Sequence, residues 1–155
     1  MFELDSQLAA DTVAVGQFRL SLVLLSKDAN YPWVILVPKR DNVREIYHLS
    51  EEDQIQLIRE SSHLSMVMTS LFTPIKMNIA ALGNIVPQLH VHHVARFDTD
   101  AAWPNAVWGV VETKAYAKDD LDKTLERLRA SLVGEDFSVE TDVVAGADES
   151  AGFTP

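Results

Sequence analysis

The segment that begins at Gln88 reads Gln-Leu-His-Val-His-His-Val-Ala-Arg-Phe, and it constrains the fold more than any other part of the chain. Its apolar and β-branched residues predict a strand, in which successive side chains alternate between the two faces of a sheet. Gln88, His90 and His92 then share one face, and Leu89 and Val91 lie on the other. Next-but-one residues of a strand are about 6.6 Å apart, so neighbouring polar groups of the row can act on one ligand. The segment therefore predicts a sheet with one apolar face against a core and one face that carries a row of polar side chains.

The rest of the chain supplies further elements for such a sheet. Apolar or alternating runs predict five strands, the last of them an edge strand, at 18–25, 33–37, 76–82, 88–97 and 106–111. Apolar residues at helical spacing predict a short helix, a long helix and a C-terminal helix at 2–11, 50–71 and 117–133. Runs in this order predict an α+β domain with a mainly antiparallel five-stranded sheet and helices over one face.

Composition limits the classes of function. The 155 residues fit one domain, and the formal net charge of −10 disfavours nucleic-acid partners, whose affinity comes mainly from many Lys and Arg contacts. A small phosphorylated substrate remains compatible with that charge, because one local site can be positive. The absence of cysteine excludes disulfides and thiolate ligands. No apolar run approaches the roughly 20 residues that span a bilayer, and the N-terminus lacks a secretory pattern, so we expect a cytoplasmic protein without a membrane partner.

Three of the five histidines fall within four positions, at His90, His92 and His93. They can be surface or core residues with a structural role only. Two of them can bind a metal ion if a third ligand comes from His48, His63 or a carboxylate. An imidazole of the cluster can also act as a nucleophile or an acid–base group, because its pKa lies near neutrality. The residues alone leave these three interpretations open.

The segment resembles the histidine-triad motif, in which three histidines alternate with apolar residues on a strand. The stretch 83–87, Gly-Asn-Ile-Val-Pro, is similar to the Gly-Gln-x-Val-x that commonly precedes the motif, and Arg96 to the Arg that often follows it. The stretch 31–40, Tyr-Pro-Trp-Val-Ile-Leu-Val-Pro-Lys-Arg, resembles the family's Pro-Gly-His-x-Leu-Val-x-Pro-Lys-x-His. On these motifs, which run in order within 18–97, the chain is identified as a member of the histidine-triad (HIT-like) superfamily.

Three positions depart from the family pattern. Gln88 stands where the first histidine belongs, Trp33 stands where another family histidine often sits, and Asp41 replaces the histidine after Pro-Lys-Arg. Gln can donate and accept hydrogen bonds but cannot titrate near pH 7, so we expect weakened or altered activity more than its loss. The departures indicate a divergent subfamily.

The resemblance implies a HIT-like fold, usually in a homodimer, and an enzyme that acts at the α-phosphate of a nucleotide. The expected reaction is hydrolysis or nucleotidyl transfer on a dinucleoside polyphosphate, a nucleoside phosphoramidate or a similar nucleotide conjugate. His90 matches the residue that attacks phosphorus and forms a transient nucleotidyl-histidine. His92 matches the residue that binds the phosphoryl oxygens and steadies charge in the transition state, and Gln88 is expected to support the site.

The resemblance also implies residues that bind the nucleotide. Asp28 is the expected ribose-binding carboxylate, with Asn30 as the second choice, and Gly83 and Asn84 are expected beside the phosphate or the leaving group. We expect no required metal or other cofactor, although magnesium can accompany a polyphosphate substrate. The expected partners are the small-molecule nucleotide and a second copy of the chain.

The HIT-like domain is expected to occupy 1–134, followed by a weakly structured extension at 135–155. Two other functions remain open. One is a nucleotide-binding regulatory module that has lost turnover because of Gln88, and the other is a metal-dependent hydrolase.

Overall fold

The computed structural model describes residues 1–134 and 136–142, which are built around one five-stranded antiparallel sheet. The strands are β1 (Thr12–Gln17), β2 (Ser21–Ser26), β3 (Trp33–Pro38), β4 (Lys76–Ala80) and β5 (Val91–Arg96), in the spatial order β1-β2-β3-β5-β4. The helices are α1 (Ser6–Asp11), α2 (Glu51–Phe72) and α3 (Lys118–Leu132), with a short 3₁₀ helix at Ile46–His48. The predicted α+β architecture, with a long helix after a strand pair and a helix near the C-terminus, is confirmed.

The strand order places β5 inside the sheet. β5 pairs with β3 on one side, where Ile35 lies opposite His92, and with β4 on the other, where Ala80 lies opposite the same histidine. Every residue of β5 is buried. Backbone ladders on both sides therefore fix the position of His92.

One face of the sheet, the helix face, packs against α2 and α3. Ser50 is the N-cap of α2, and its side chain accepts a hydrogen bond from the amide of Asp53. The buried leucines of both helices pack against apolar strand residues in one core, whose members include Leu57, Leu64, Leu125, Leu128, Val23, Leu36 and Val91. This core therefore supports the sheet on the face opposite His90 and His92.

The opposite face, the site face, is covered by the N-terminal segment and by loops. Leu22, Leu24, Ile35 and Val37 pack there against Leu8 of α1 and Val86. Adjacent strand residues thus alternate between the two clusters, as the pleat of a sheet requires. The site face is therefore apolar over β2 and β3 and becomes polar at β5.

Two strand predictions differ from the structure. The segment predicted as a connection after the first helix is β1, which pairs with β2 through a bulge between Ala14 and Gly16. The edge strand predicted at 106–111 is wrong, because that segment forms turns and makes no strand pairing. Instead, the guanidinium of Arg96 donates to the carbonyl of Asn105, the residue just before this segment, at 2.7 Å. This bond links the start of the segment to β5.

Part of the predicted C-terminal extension contacts the domain. Gln17 and Ser138 exchange two backbone hydrogen bonds of 2.8 and 2.9 Å, and Phe137 packs edge-on against Phe18. A Cβ at Gly16 would overlap the Ser138 carbonyl, so a glycine is needed at this crossing. Glu135 and 143–155 lie outside the described residues. Within the described ranges, no helix is long and apolar enough to cross a membrane.

Candidate active site

Two imidazoles lie side by side on the site face. His92 is in β5, His90 lies just before it, and their ring centroids are 4.8 Å apart. His93 and Val91 point to the helix face, as the alternation predicted. β5 begins at Val91. Before it, the amide of Leu89 donates to the carbonyl of Val43 and not to a neighbouring strand. The side-by-side placement of His90 and His92 therefore matches the sequence pattern.

A backbone contact defines the protonation pattern of His90. Its Nδ1 lies 2.6 Å from the carbonyl oxygen of Gln88, and a carbonyl can only accept, so Nδ1 carries the hydrogen. In the neutral ring the lone pair is then on Nε2. Nε2 has no hydrogen-bond partner among the described residues. It is also not one of their buried unpartnered polar atoms, which are Ser21 Oγ, Tyr31 Oη and Glu60 Oε2. The His90 residue as a whole is 5% exposed.

A glycine lies beside the His90 ring. A Cβ built at Gly83 would approach the carbonyl oxygen of Val86 to 2.7 Å and Cε1 of His90 to 3.5 Å. Gly83 is itself exposed. Loop 81–90 therefore passes close to the imidazole at a point where a side chain does not fit.

His92 is held by two hydrogen bonds. The indole Nε1 of Trp33 donates to His92 Nδ1 at 3.0 Å, and His92 Nε2 donates to the carbonyl of Leu82 over a long distance of 3.3 Å. Burial and, less strongly, the neighbouring His90 lower the pKa of His92 to about 4, against a smaller opposing effect of the Leu82 carbonyl. His92 is therefore neutral at pH 7.

Two tryptophans form an aromatic wall next to His92. The ring centroids of Trp33 and Trp108 lie 5.5 and 5.1 Å from that of His92, and 5.7 Å from each other. Trp108 belongs to the segment that follows β5 and is half-buried. The wall leaves one side of the histidine pair lined by apolar rings, which strengthens electrostatic contacts made there.

The side chain of Gln88 makes its hydrogen bonds to the N-terminal segment and not to the imidazoles. Its Oε1 accepts from the amide of Asp5 at 3.0 Å and its Nε2 donates to the carbonyl of Glu3 at 2.8 Å. The sequence predicted this side chain in the row of histidines. The structure instead ties it to the N-terminal segment, while the backbone carbonyl of the same residue contacts His90.

The predicted ribose-binding residues lie in the turn between β2 and β3. Asp28 Oδ1 accepts from the backbone and side-chain nitrogens of Asn30 and from the amide of Lys114, at 2.8 to 3.2 Å. Asn30 also donates to the carbonyl of Glu112. These bonds join the turn to the segment before α3 and leave Asp28 Oδ2 without a hydrogen bond to the described residues. Asn84 is exposed on loop 81–90.

The remaining histidines are outside this site. His93 is fully buried, its Nδ1 donates to the carbonyl of Val91, and its Nε2 therefore accepts from the Ser61 hydroxyl at 2.7 Å. Burial lowers its pKa to about 4. His48 and His63 are exposed. Among residues 1–134 and 136–142, no three His, Asp or Glu side chains are grouped closely enough to share a metal ion.

A buried ion pair supports the site face and was not predicted. Arg96 and Asp100 form a two-pronged contact with nitrogen–oxygen distances of 2.8 and 3.1 Å, and their side chains are 1% and 4% exposed. The carboxylate also accepts from the amides of Phe97, Ala102 and Trp103. The sequence feature that could have predicted the pair is an arginine on a buried strand, because a buried guanidinium requires a carboxylate partner.

Comparison with known proteins extends these observations. The sequence model of the HIT domain family matches residues 7–99 of the chain. A histidine triad protein structure from Bradyrhizobium japonicum is 45% identical, with a TM-score of 0.84 over 85% of this chain and 98% of that one. A second from Marinobacter aquaeolei is 48% identical, with a TM-score of 0.83 over 85% and 96% of the two chains. A third from Sinorhizobium meliloti is 34% identical, with a TM-score of 0.82 over 84% and 97%. A search of curated proteins returned no match.

Proposed function

The chain belongs to the HIT domain family, and from this premise we propose that it is a nucleotide hydrolase or nucleotidyl transferase. The proposed substrates are nucleotides activated at the α-phosphate, namely a dinucleoside polyphosphate, a nucleoside phosphoramidate or a related conjugate. The observation that carries the proposal is Nε2 of His90, which holds the lone pair of the neutral ring, has no hydrogen-bond partner among the described residues and lies beside His92.

In the proposed reaction, Nε2 of His90 uses its lone pair to form a bond to the α-phosphorus. The bond from phosphorus to the leaving oxygen or nitrogen breaks, and the leaving group takes that electron pair and a proton from solvent. The ring becomes cationic, and its Nδ1–H bond to the Gln88 carbonyl then becomes charge-assisted and stronger. Water, or another acceptor in a transfer reaction, then attacks phosphorus and loses a proton to solvent. The nitrogen–phosphorus bond breaks, its electron pair returns to Nε2, and neutral His90 is regenerated.

His92 supplies a donor for the charge that develops on the phosphoryl oxygens. Its Nε2–H makes only a long bond to the Leu82 carbonyl, so a closer phosphoryl oxygen can replace that acceptor. Because the ring is neutral, it donates a hydrogen without placing a second positive charge next to the His90 intermediate. Gln88 contributes to this arrangement through its backbone carbonyl rather than its side chain.

The nucleotide is proposed to extend from the histidine pair along the loops of the site face. Asp28, whose Oδ2 remains available, is the proposed ribose ligand, and Asn30 orients it. Gly83 allows a phosphate to approach the backbone of loop 81–90, and the exposed Asn84 side chain can donate to the same group. The imidazole chemistry needs no resident cofactor, and magnesium would enter with a polyphosphate substrate.

We also propose a homodimer, which the family resemblance implies. β4 lies at the edge of the sheet. Ile79 in β4 is 51% exposed, and Ile75, the residue just before β4, is 58% exposed. An apolar strand edge favours pairing with another strand, and here the proposed occupant is β4 of a second copy. Light scattering should give the mass of a dimer, and Ile79→Lys should shift it toward a monomer. A monomeric parent protein would contradict this assembly.

The proposed function can be tested with purified protein, a diadenosine polyphosphate and a nucleoside phosphoramidate. We expect release of a nucleoside monophosphate, a loss of at least about a thousand-fold in kcat in His90→Ala, and full activity in His63→Ala. His63 is the matched control, because it is exposed on the helix at the opposite face. Thermal stabilisation by a monophosphate without turnover would support a binding module instead. No stabilisation by any nucleoside monophosphate at millimolar concentration would contradict the nucleotide site.

A further inference from the structure

The hydrogen bond between Trp33 and His92 determines which nitrogen of the histidine carries a hydrogen. An indole N–H can donate but cannot accept, and it points at His92 Nδ1 over 3.0 Å. Nδ1 must therefore present a lone pair, and the hydrogen of the neutral ring lies on Nε2. The carbonyl of Leu82, an obligate acceptor, faces Nε2 and agrees with this assignment.

We propose that Trp33 is a positioning residue that keeps His92 in the Nε2–H tautomer and directs its single hydrogen toward the phosphoryl group on His90. The consequence for catalysis rests on the proposed function. The tautomer is a property of the protein alone, so it can be measured whether or not a substrate is known.

The sheet and its aromatic neighbours hold the Trp33 ring in place. The residue begins β3 and lies opposite Val94 of β5, which puts its side chain on the site face next to His92. Its ring packs edge-on against Tyr31 at 6.3 Å and against Trp108 at 5.7 Å. An indole fixed on both sides loses little further freedom when it donates to the histidine.

The same hydrogen bond opposes protonation of His92. A protonated ring carries a hydrogen on Nδ1, which would then face the indole hydrogen, so the bond stabilises the neutral form. The titratable groups that act on His92 are His90 and His93, and both favour its neutral form. Trp33, Trp108 and the Leu82 carbonyl, which also face the ring, are uncharged. A neutral His92 avoids repulsion of the cationic His90 intermediate across 4.8 Å.

Long-range ¹H–¹⁵N spectra of histidine-labelled protein between pH 8 and 4.5 test the proposal. In the parent protein we expect His92 as the Nε2–H tautomer, still neutral at pH 5. In Trp33→Phe, which keeps an aromatic ring but removes the donor, we expect mixed tautomers and a rise of about one unit in the pKa of His92. Trp108→Phe is the matched control, because it alters the other indole next to His92 without removing a hydrogen bond to it. Its His92 should resemble that of the parent.

The pH dependence of turnover gives a second readout that a merely structural role would not move. As the pH is lowered, kcat of Trp33→Phe should fall at a higher pH than kcat of the parent protein, because His92 of the variant becomes protonated at a higher pH. A parent His92 with its hydrogen on Nδ1, or a His92 spectrum that Trp33→Phe leaves unchanged, would overturn the proposal. If Trp33→Phe does not fold, the parent spectrum alone decides. Absence of turnover in the parent would count against the proposed function, while the spectra would still decide the tautomer.

Discussion

The ion pair between Arg96 and Asp100 makes a measurable prediction about stability. Asp100→Asn keeps the shape of the side chain and one acceptor oxygen, but it leaves the guanidinium of Arg96 buried without its counter-charge. Breaking a buried pair in this way costs about 3–5 kcal/mol. The retained amide oxygen can still accept from Ala102 and Trp103, which places the expected loss near the lower end, at about 3 kcal/mol.

The pKa of Asp100 supports a loss of this size. Burial by itself raises that pKa, but hydrogen bonds from Arg96 and from the amides of Phe97 and Ala102, together with the charge of Arg96, bring it from 3.8 down to about 2. A decrease of this size corresponds to roughly 2.5 kcal/mol of stability at neutral pH. Because the folded-state pKa is depressed, the contribution is complete above about pH 4 and is lost as the pH falls toward 2.

Urea unfolding of the parent protein and Asp100→Asn at pH 7, 5 and 3 is the assay. The difference in unfolding free energy should be about 3 kcal/mol at pH 7, equal at pH 5, and smaller at pH 3. At neutral pH the melting temperature should fall by roughly 6–12 °C. Asp98→Asn, an exposed aspartate two residues earlier, should change stability by less than about 0.5 kcal/mol. A difference below 1 kcal/mol at pH 7, or a full-sized difference that persists at pH 3, would refute the reasoning.

Further predictions concern the surroundings of the histidines. Gly83→Ala should lower kcat/KM by at least about tenfold, because the added methyl would clash with the Val86 carbonyl oxygen at 2.7 Å and shift loop 81–90 next to the His90 ring. Steady-state kinetics at unchanged melting temperature would check this, and unaltered kinetics would contradict it. Gln88→Ala should destabilise the protein by about 1–2 kcal/mol, because the N-terminal segment loses its hydrogen bonds to the side chain, but most turnover should remain, because the backbone carbonyl is kept. Unfolding and kinetics measured together check this. Loss of turnover with normal stability would show that the side chain acts in the reaction. Ser61→Ala should cost about 1–3 kcal/mol in urea unfolding, because the buried Nε2 of His93 loses its donor, with kcat nearly unchanged; a silent mutation would contradict the assigned bond.

Most of the fold could be predicted from local patterns. The alternation around His90 and His92 predicted their shared face, and the apolar runs and helical spacings predicted the other main elements. β1 was missed because Thr-Val-Ala-Val-Gly-Gln is short, contains a bulge and directly follows a helix. The false edge strand at 106–111 arose because Val107 and half-buried Trp108 pack against the site face without joining a ladder, while Val110 and Val111 are exposed.

The details of the site depend on contacts that sequence spacing does not reveal. Trp33 and His92 are 59 positions apart, and their hydrogen bond follows from the pairing of β3 with β5. Gln88 was expected to act through its side chain, but the chain leaves the ladder at Leu89, which turns the side chain to the N-terminal segment and the carbonyl to His90. Long-range pairing therefore sets which atom of each residue faces the reacting group.

The most direct measurement is a search for the covalent intermediate. The protein is mixed with a nucleoside phosphoramidate, quenched within milliseconds to seconds, and digested for mass spectrometry under conditions that preserve phosphorus–nitrogen bonds. We predict a nucleotidyl group on the peptide that contains His90, transient in the parent protein and absent in His90→Ala. Steady product release with no adduct at any time point, or an adduct on a different residue, would contradict attack by the free nitrogen of His90.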